Sequence, residues 1–121
     1  MAQPSILIVD DDLDQLSILG AMLSNFPYNV NTALNGMRAL EMLHEEVPAM
    51  VITDMVMPDV SGSDIIRAIR SDKRLDGTKV VIITSLMKYV SDDDKRLADR
   101  VMLKPIQKKD LEGMINDLLS Y

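Results

Sequence analysis

The sequence predicts an α/β protein, an open parallel sheet of five strands covered by helices on both faces. Three observations carry this. Short apolar runs of strand length, rich in Val and Ile, recur five times along the 121 residues. Each is followed by a segment with apolar residues at helical spacing. Strict strand–helix alternation means parallel βαβ units with right-handed crossovers. Five strands are too few to close an eight-stranded barrel, so an open sheet remains.

The elements follow in order. Ile6-Leu7-Ile8-Val9 is continuously apolar and predicts a strand buried on both faces. Asp11 to about Leu23 places Leu16, Leu19, Gly20 and Leu23 on one helix face, and Asn25-Phe26-Pro27 ends it. Asn29 to Ala33 predicts a short strand. Asn35-Gly36 leads into a second helix with Leu40, Leu43 and Val47 on one face and Pro48 beyond its end. Met50-Val51-Ile52-Thr53 is a third, buried strand. Ser61 to Ile69 is helical, with Ile65, Ile66 and Ile69 inward. Lys79 to Thr84 contains Val80-Val81-Ile82-Ile83, the clearest strand pattern in the chain. Ser91 to about Ala98 is a helix with a thin apolar face. Ser91 is placed to cap it, and Asp94 stands where a capping-box acid belongs. Val101-Met102-Leu103 is the last strand. Gln107 to Leu119 is the last helix, with Leu111, Met114, Ile115, Leu118 and Leu119 on one stripe.

Composition bounds the function. The chain is 47% hydrophobic and 26% charged, which excludes a disordered chain. Its purely apolar runs are no longer than four or five residues, too short for a membrane span. Met1-Ala2-Gln3-Pro4 lacks the pattern of a secretory leader. Without cysteine there are no disulfides, thiolate metal sites or cysteine nucleophiles. A formal charge of −6, no tryptophan and one phenylalanine argue against direct nucleic-acid binding. A single soluble, cytoplasmic domain over 1–121 is the expectation, with no membrane contact, as a monomer or weak dimer.

In an open α/β sheet, ligands bind beyond the carboxyl ends of the strands. The first strand runs into Asp10, Asp11 and Asp12, the third into Asp54, the fourth into Thr84-Ser85 and the fifth into Lys104-Pro105. Carboxylates brought together repel unless cations lie among them. Lys104 supplies one positive charge, and a divalent metal would supply the rest. Oxygen donors without histidine or cysteine favour a hard cation such as Mg2+, which leaves positions open for phosphate oxygens. The set therefore suits phosphoryl chemistry, with water or a carboxylate as the attacking group. Read singly, each piece has a plainer role: Asp10 to Asp12 as a helix cap, Asp54 as a turn residue, Lys104-Pro105 as a loop. Convergence on one edge favours a site. An EF-hand does not fit, because Gln15 and Ala21 stand where its glycine and its last glutamate belong. No phosphate-binding loop or dinucleotide motif is present.

Taken together, Ile6-Leu7-Ile8-Val9-Asp10-Asp11-Asp12, Ile52 to Gly62 with its Asp54-Met55-Val56-Met57-Pro58, Ile83-Thr84-Ser85 and Leu103-Lys104-Pro105 resemble the receiver domains of two-component response regulators. The resemblance spans essentially the whole chain, with 43 positions from Asp11 to Asp54 and 30 from Asp54 to Thr84. It implies a flavodoxin-like, doubly wound (βα)5 fold with strand order 2-1-3-4-5. It implies that Asp54 accepts a phosphoryl group from a sensor histidine kinase or phosphotransfer protein. Asp11 and Asp54 would ligate Mg2+ directly, Asp10 through water, and the Val56 carbonyl would complete the protein ligands. Lys104 would pair with the phosphoryl group, its bond to Pro105 being often cis in the family. Thr84 would swing toward the phosphoryl group on activation. The phosphoryl state would bias a two-state equilibrium read by a downstream output protein or domain. Such a protein catalyses only its own phosphotransfer and slow autodephosphorylation.

Three departures from the family pattern stand out. Val101 occupies the place of a common aromatic switch residue, and Leu97-Ala98-Asp99-Arg100 replaces a common Ala-Gly-Ala ending, so a remodelled output face is expected. Val56 and Leu86 are apolar where many relatives carry polar residues, which predicts a shielded, slowly decaying acyl phosphate. The chain stops after the last helix, so it is either a stand-alone receiver or a piece of a longer regulator or hybrid kinase.

Other readings are distinguishable. A pseudo-receiver or adaptor that binds partners without phosphorylation is the alternative, kept open by Val101 and opposed by the complete Asp11, Asp54, Thr84 and Lys104 set. An aspartate-nucleophile phosphatase would need an acid where Val56 stands. A flavin site would need aromatic stacking and a phosphate loop. His44, among Glu41, Glu45 and Glu46, reads as a solvated surface residue. The ten methionines read mainly as core packing, and Lys95, Arg96 and Arg100 as a solvated basic cluster.

Overall fold

The computed structural model describes residues 3–119. Met1 and Ala2, part of the segment read for a leader, and both ends of the 1–121 unit lie outside the described residues. The elements are β1 (Ser5–Val9), α1 (Leu13–Met22), β2 (Asn29–Ala33), α2 (Gly36–Glu45), β3 (Met50–Asp54), α3 (Gly62–Arg70), β4 (Lys79–Thr84), α4 (Asp92–Leu97), β5 (Arg100–Leu103) and α5 (Lys108–Leu119). Short 3-10 turns at Lys73–Leu75 and Met87–Tyr89 interrupt the connections before β4 and α4. Neither has a periodic apolar pattern, so the sequence did not mark them.

All strands pair in parallel, in the order β2-β1-β3-β4-β5. Side-chain alternation splits the central strands between two cores. Leu7, Val9, Val51, Val80 and Ile82 face Ala39, Leu43, Ile65, Ile66 and Ile69 of α2 and α3, with Leu97 of α4 packed at the margin. Ile6, Ile8, Met50, Ile52, Val81 and Ile83 face Leu16, Leu19, Leu111, Met114 and Ile115 of α1 and α5. Burying both faces explains why β1, β3 and β4 read as unbroken apolar runs. β2 and β5 lie at the edges and are only partly buried.

Helix boundaries follow local chemistry. α1 starts at Leu13, later than the predicted Asp11, because the Asp12 side chain accepts the Asp14 N–H and caps the helix. α3 and α4 both begin with a reciprocal capping box, Ser61 with Asp64 and Ser91 with Asp94. Val47 is not on the inward face of α2. The helix ends at Glu45, Val47 precedes Pro48, and it is exposed.

The junction between α4 and β5 has its own lock. The Asp99 carboxylate accepts the Val80 N–H at 2.7 Å, and the Asp99 N–H donates to the Val80 carbonyl at 2.8 Å. Arg70 of α3 donates to the carbonyls of Leu97 and Thr78 and to the Asp99 carboxylate. This clamp occupies the stretch where Leu97-Ala98-Asp99-Arg100 departs from the family pattern, and α4 is only six residues long.

Candidate metal and phosphoryl site

The pleat and register bring the expected residues to one edge. Val9 of β1 pairs with Thr53 of β3, so Asp10 and Asp54 leave adjacent strands side by side. Asp54 pairs with Ile83, and Thr84 with Leu103, which puts Thr84 and Lys104 on the other flank. The Lys104 N–H donates to the Thr84 carbonyl at 2.8 Å and fixes where the lysine side chain departs. The Lys104–Pro105 peptide is cis.

Lys104 Nζ lies 3.2 Å from Asp10 Oδ2 and 3.5 Å from Asp54 Oδ1. Asp10 is 2% exposed, and its Oδ1 accepts the Asp12 N–H at 3.0 Å. Asp54 Oδ1 also accepts the Met55 N–H at 2.9 Å. Burial, then the negative charge of Asp10, push the Asp54 carboxyl above the ordinary carboxylate value, with Lys104 and Met55 opposing. Burial alone would lower Lys104, but Asp54 and Asp10 outweigh it and hold the ammonium above its ordinary value.

Asp10, Asp11 and Asp54 each present a carboxylate oxygen, and these oxygens lie within 4.8 Å of one another. Three carboxylates against one ammonium leave an excess of negative charge. The donor set is oxygen only, and Asp11 is exposed, so an ion could enter from solvent. These residues fit a hard divalent cation that retains water.

Thr84 is buried, and its hydroxyl donates to the Leu86 carbonyl at 3.0 Å. It therefore points along its own turn. Val56 and Leu86, two positions after Asp54 and Thr84, are 55% and 46% exposed. Val101 is partly buried against the core on the α4 side, beside Leu97 and Ala98.

Residues 6–116 match the response regulator receiver domain family. The chain belongs to that family. This receiver domain is 36% identical over 117 residues to a protein named a probable transcriptional regulator, ycf27, of Guillardia theta. That match covers 94% of this chain and 44% of the relative, so the chain spans less than half of its length. It is 31% identical over 121 residues to the two-component response regulator ORR5 of Oryza sativa subsp. japonica, covering 96% of this chain and 89% of that protein. In structure it resembles the response regulator TrrA of Thermotoga maritima, solved with Mg2+ and BeF, with a TM-score of 0.85 and 30% identity. That alignment covers 95% of this chain and 98% of the other. A CheY-like receiver domain from Methylobacillus flagellatus has a TM-score of 0.88 at 20% identity, over 97% and 99% of the two chains, and shows the shared fold. Receiver domains are signalling switches rather than enzymes acting on a separate substrate. No helix among the described residues is long and apolar enough to cross a membrane.

Two contributors to the site were not read from the sequence. The Met55 N–H is a backbone donor and leaves no residue-type signal. Gly62 is the other. A Cβ there would lie 2.5 Å from the Asp54 carbonyl oxygen and 2.9 Å from the Met55 Cα. Its N–H donates to the Met55 carbonyl at 2.9 Å. A glycine directly after a serine cap, at the start of a helix where it weakens the helix, was the available signal. The plainer readings of the remaining residues agree with their positions. His44 is exposed, Met50 and Met114 are buried, and Arg96 and Arg100 form exposed pairs with Asp93 and Asp117.

Proposed function

We propose that residues 1–121 form one phosphorylatable receiver unit in which Asp54 is the phosphoacceptor. The observation that supports this most is the meeting of Asp10 and Asp54 on Lys104 at the carboxyl edge, with Lys104 Nζ 3.2 Å from Asp10 and 3.5 Å from Asp54. A carboxylate oxygen of Asp54 attacks the phosphorus of a phosphohistidine on a sensor histidine kinase or phosphotransfer protein. The P–N bond breaks, and the leaving imidazole takes a proton. Lys104, already between two carboxylates, neutralises charge on the phosphoryl oxygens. Asp10, Asp11, Asp54 and the Val56 carbonyl would hold Mg2+, and when bound the ion would supply charge neutralisation to the same oxygens.

Thr84 gives up the Leu86 carbonyl to donate to a phosphoryl oxygen. The change is read by a downstream output protein or domain in the cytoplasm. Slow hydrolysis of the acyl phosphate resets the switch. Incubation with acetyl phosphate and Mg2+, followed by intact-mass measurement, tests the reading. One added phosphoryl group, absent in Asp54→Asn, supports it. No addition to the wild type would favour an adaptor that works without phosphorylation.

A further inference from the structure

The seven residues between Asp54 and α3 are held at two points, and the outer one lies on another helix. The Val60 N–H donates to the Pro58 carbonyl at 2.8 Å, closing a three-residue turn around Asp59. Asp59 has φ 66°, the one non-glycine residue with positive φ among those described. A γ-turn with its centre in this region is strained and needs support from its surroundings. The inner point is Gly62 against Asp54 and Met55. The outer point is Gly36, buried at the first position of α2. A Cβ on Gly36 would lie 2.6 Å from the Cβ, the Cγ1 and the carbonyl oxygen of Val60. The φ of Gly36 is not positive, so close approach, not backbone freedom, requires glycine there.

Between the two points sit Val56, whose side chain is exposed, and Met57, which is buried. We infer that Gly36 is a positioning residue for the metal: by letting α2 close on Val60, it holds the strained turn and thereby the Val56 carbonyl in place. The inference rests on the receiver reading above. It adds that the edge of α2 sets the affinity of the cation site although it supplies no ligand. Groups that orient metal ligands typically change affinity by about 10 to 100-fold when removed.

Mg2+ titration of the full chain, followed by backbone amide shifts, reads this directly, since the chain has no tryptophan to report binding. Gly36→Ala raises the Mg2+ dissociation constant about tenfold or more. Gly20→Ala, Gly77→Ala and Gly113→Ala, where a Cβ meets nothing within 4 Å, leave it unchanged. Val60→Gly, which removes the packing without crowding, also weakens Mg2+ binding and carries the test alone if Gly36→Ala does not fold. A lower melting temperature with wild-type Mg2+ affinity in folded Gly36→Ala and Val60→Gly overturns the inference. A wild type that neither binds Mg2+ nor gains a phosphoryl group overturns the receiver reading beneath it.

Discussion

Ser63 donates its hydroxyl to Oδ1 of Asp94 at 2.8 Å and joins the start of α3 to the start of α4. Asp94 is 2% exposed, and its other oxygen accepts the Ser91 N–H. Burial alone would raise the Asp94 carboxyl. The bonds from Ser91 and Ser63 and the charge of Arg67 outweigh it and hold the group below the ordinary 3.8. The folded state thus binds this proton less readily than the unfolded one. Its contribution to stability is present above pH 3.8 and is lost as pH falls through the lower, folded value. Asp94→Asn flattens the acid limb of the stability curve below pH 3.8, measured by urea melts at stepped pH. An unchanged acid limb refutes the assignment.

Arg70 satisfies two carbonyls and one carboxylate from two separate segments, Thr78 before β4 and Leu97 to Asp99 at the junction of α4 and β5. Arg70→Ala costs about 2 kcal/mol, in the range for charge-assisted bonds whose partners lose their donor. Arg70→Lys recovers little of it, because an ammonium cannot reproduce the guanidinium fork. Denaturant unfolding of the three proteins checks both statements.

Asp54 is raised by burial and by Asp10, so in the folded state its ionised form is disfavoured. The sign follows: stability is lost as pH rises from 3.8 through the raised value. In EDTA at neutral pH, Asp54→Asn is therefore more stable than wild type. Mg2+ reverses the order. At ten times its dissociation constant it stabilises wild type by about 1.4 kcal/mol, and less in the variant that lacks a carboxylate ligand. Thermal melts with and without Mg2+ decide this, and identical wild-type curves count against the metal site.

Val56 and Leu86 follow Asp54 and Thr84 by two positions, and both side chains are apolar and exposed. Their shielding of the acyl phosphate from water predicts slow autodephosphorylation. Val56→Asn speeds the decay several-fold, followed by intact mass after the phosphodonor is removed. No faster decay in the variant sinks the idea.

The parallel core was legible because its strands are buried on both faces, so Ile6 to Val9 and Val80 to Ile83 announce themselves without context. The edge followed from the same pattern, since Asp54 and Thr84 close their strands and Asp10 and Lys104 come directly after theirs. What escaped notice was set by tertiary proximity. Gly36 and Val60 are 24 positions apart, and neither residue type hints at the other. The Arg70 and Asp99 clamp replaces an expected loop motif with one that works only because α3 passes nearby. Val47 was misplaced because its spacing fits the helix, while the proline after it forces the chain out.

The bond between Lys104 and Asp10 joins residues 94 positions apart. Everything negative in the site is made in the first half of the chain, and its one fixed positive charge arrives with the end of β5. A nascent chain that has not yet released that strand holds crowded carboxylates with no counter-charge. The site's charge balance is therefore a late product of folding: it exists only once β5 has paired with β4 and delivered Lys104 to Asp10 and Asp54.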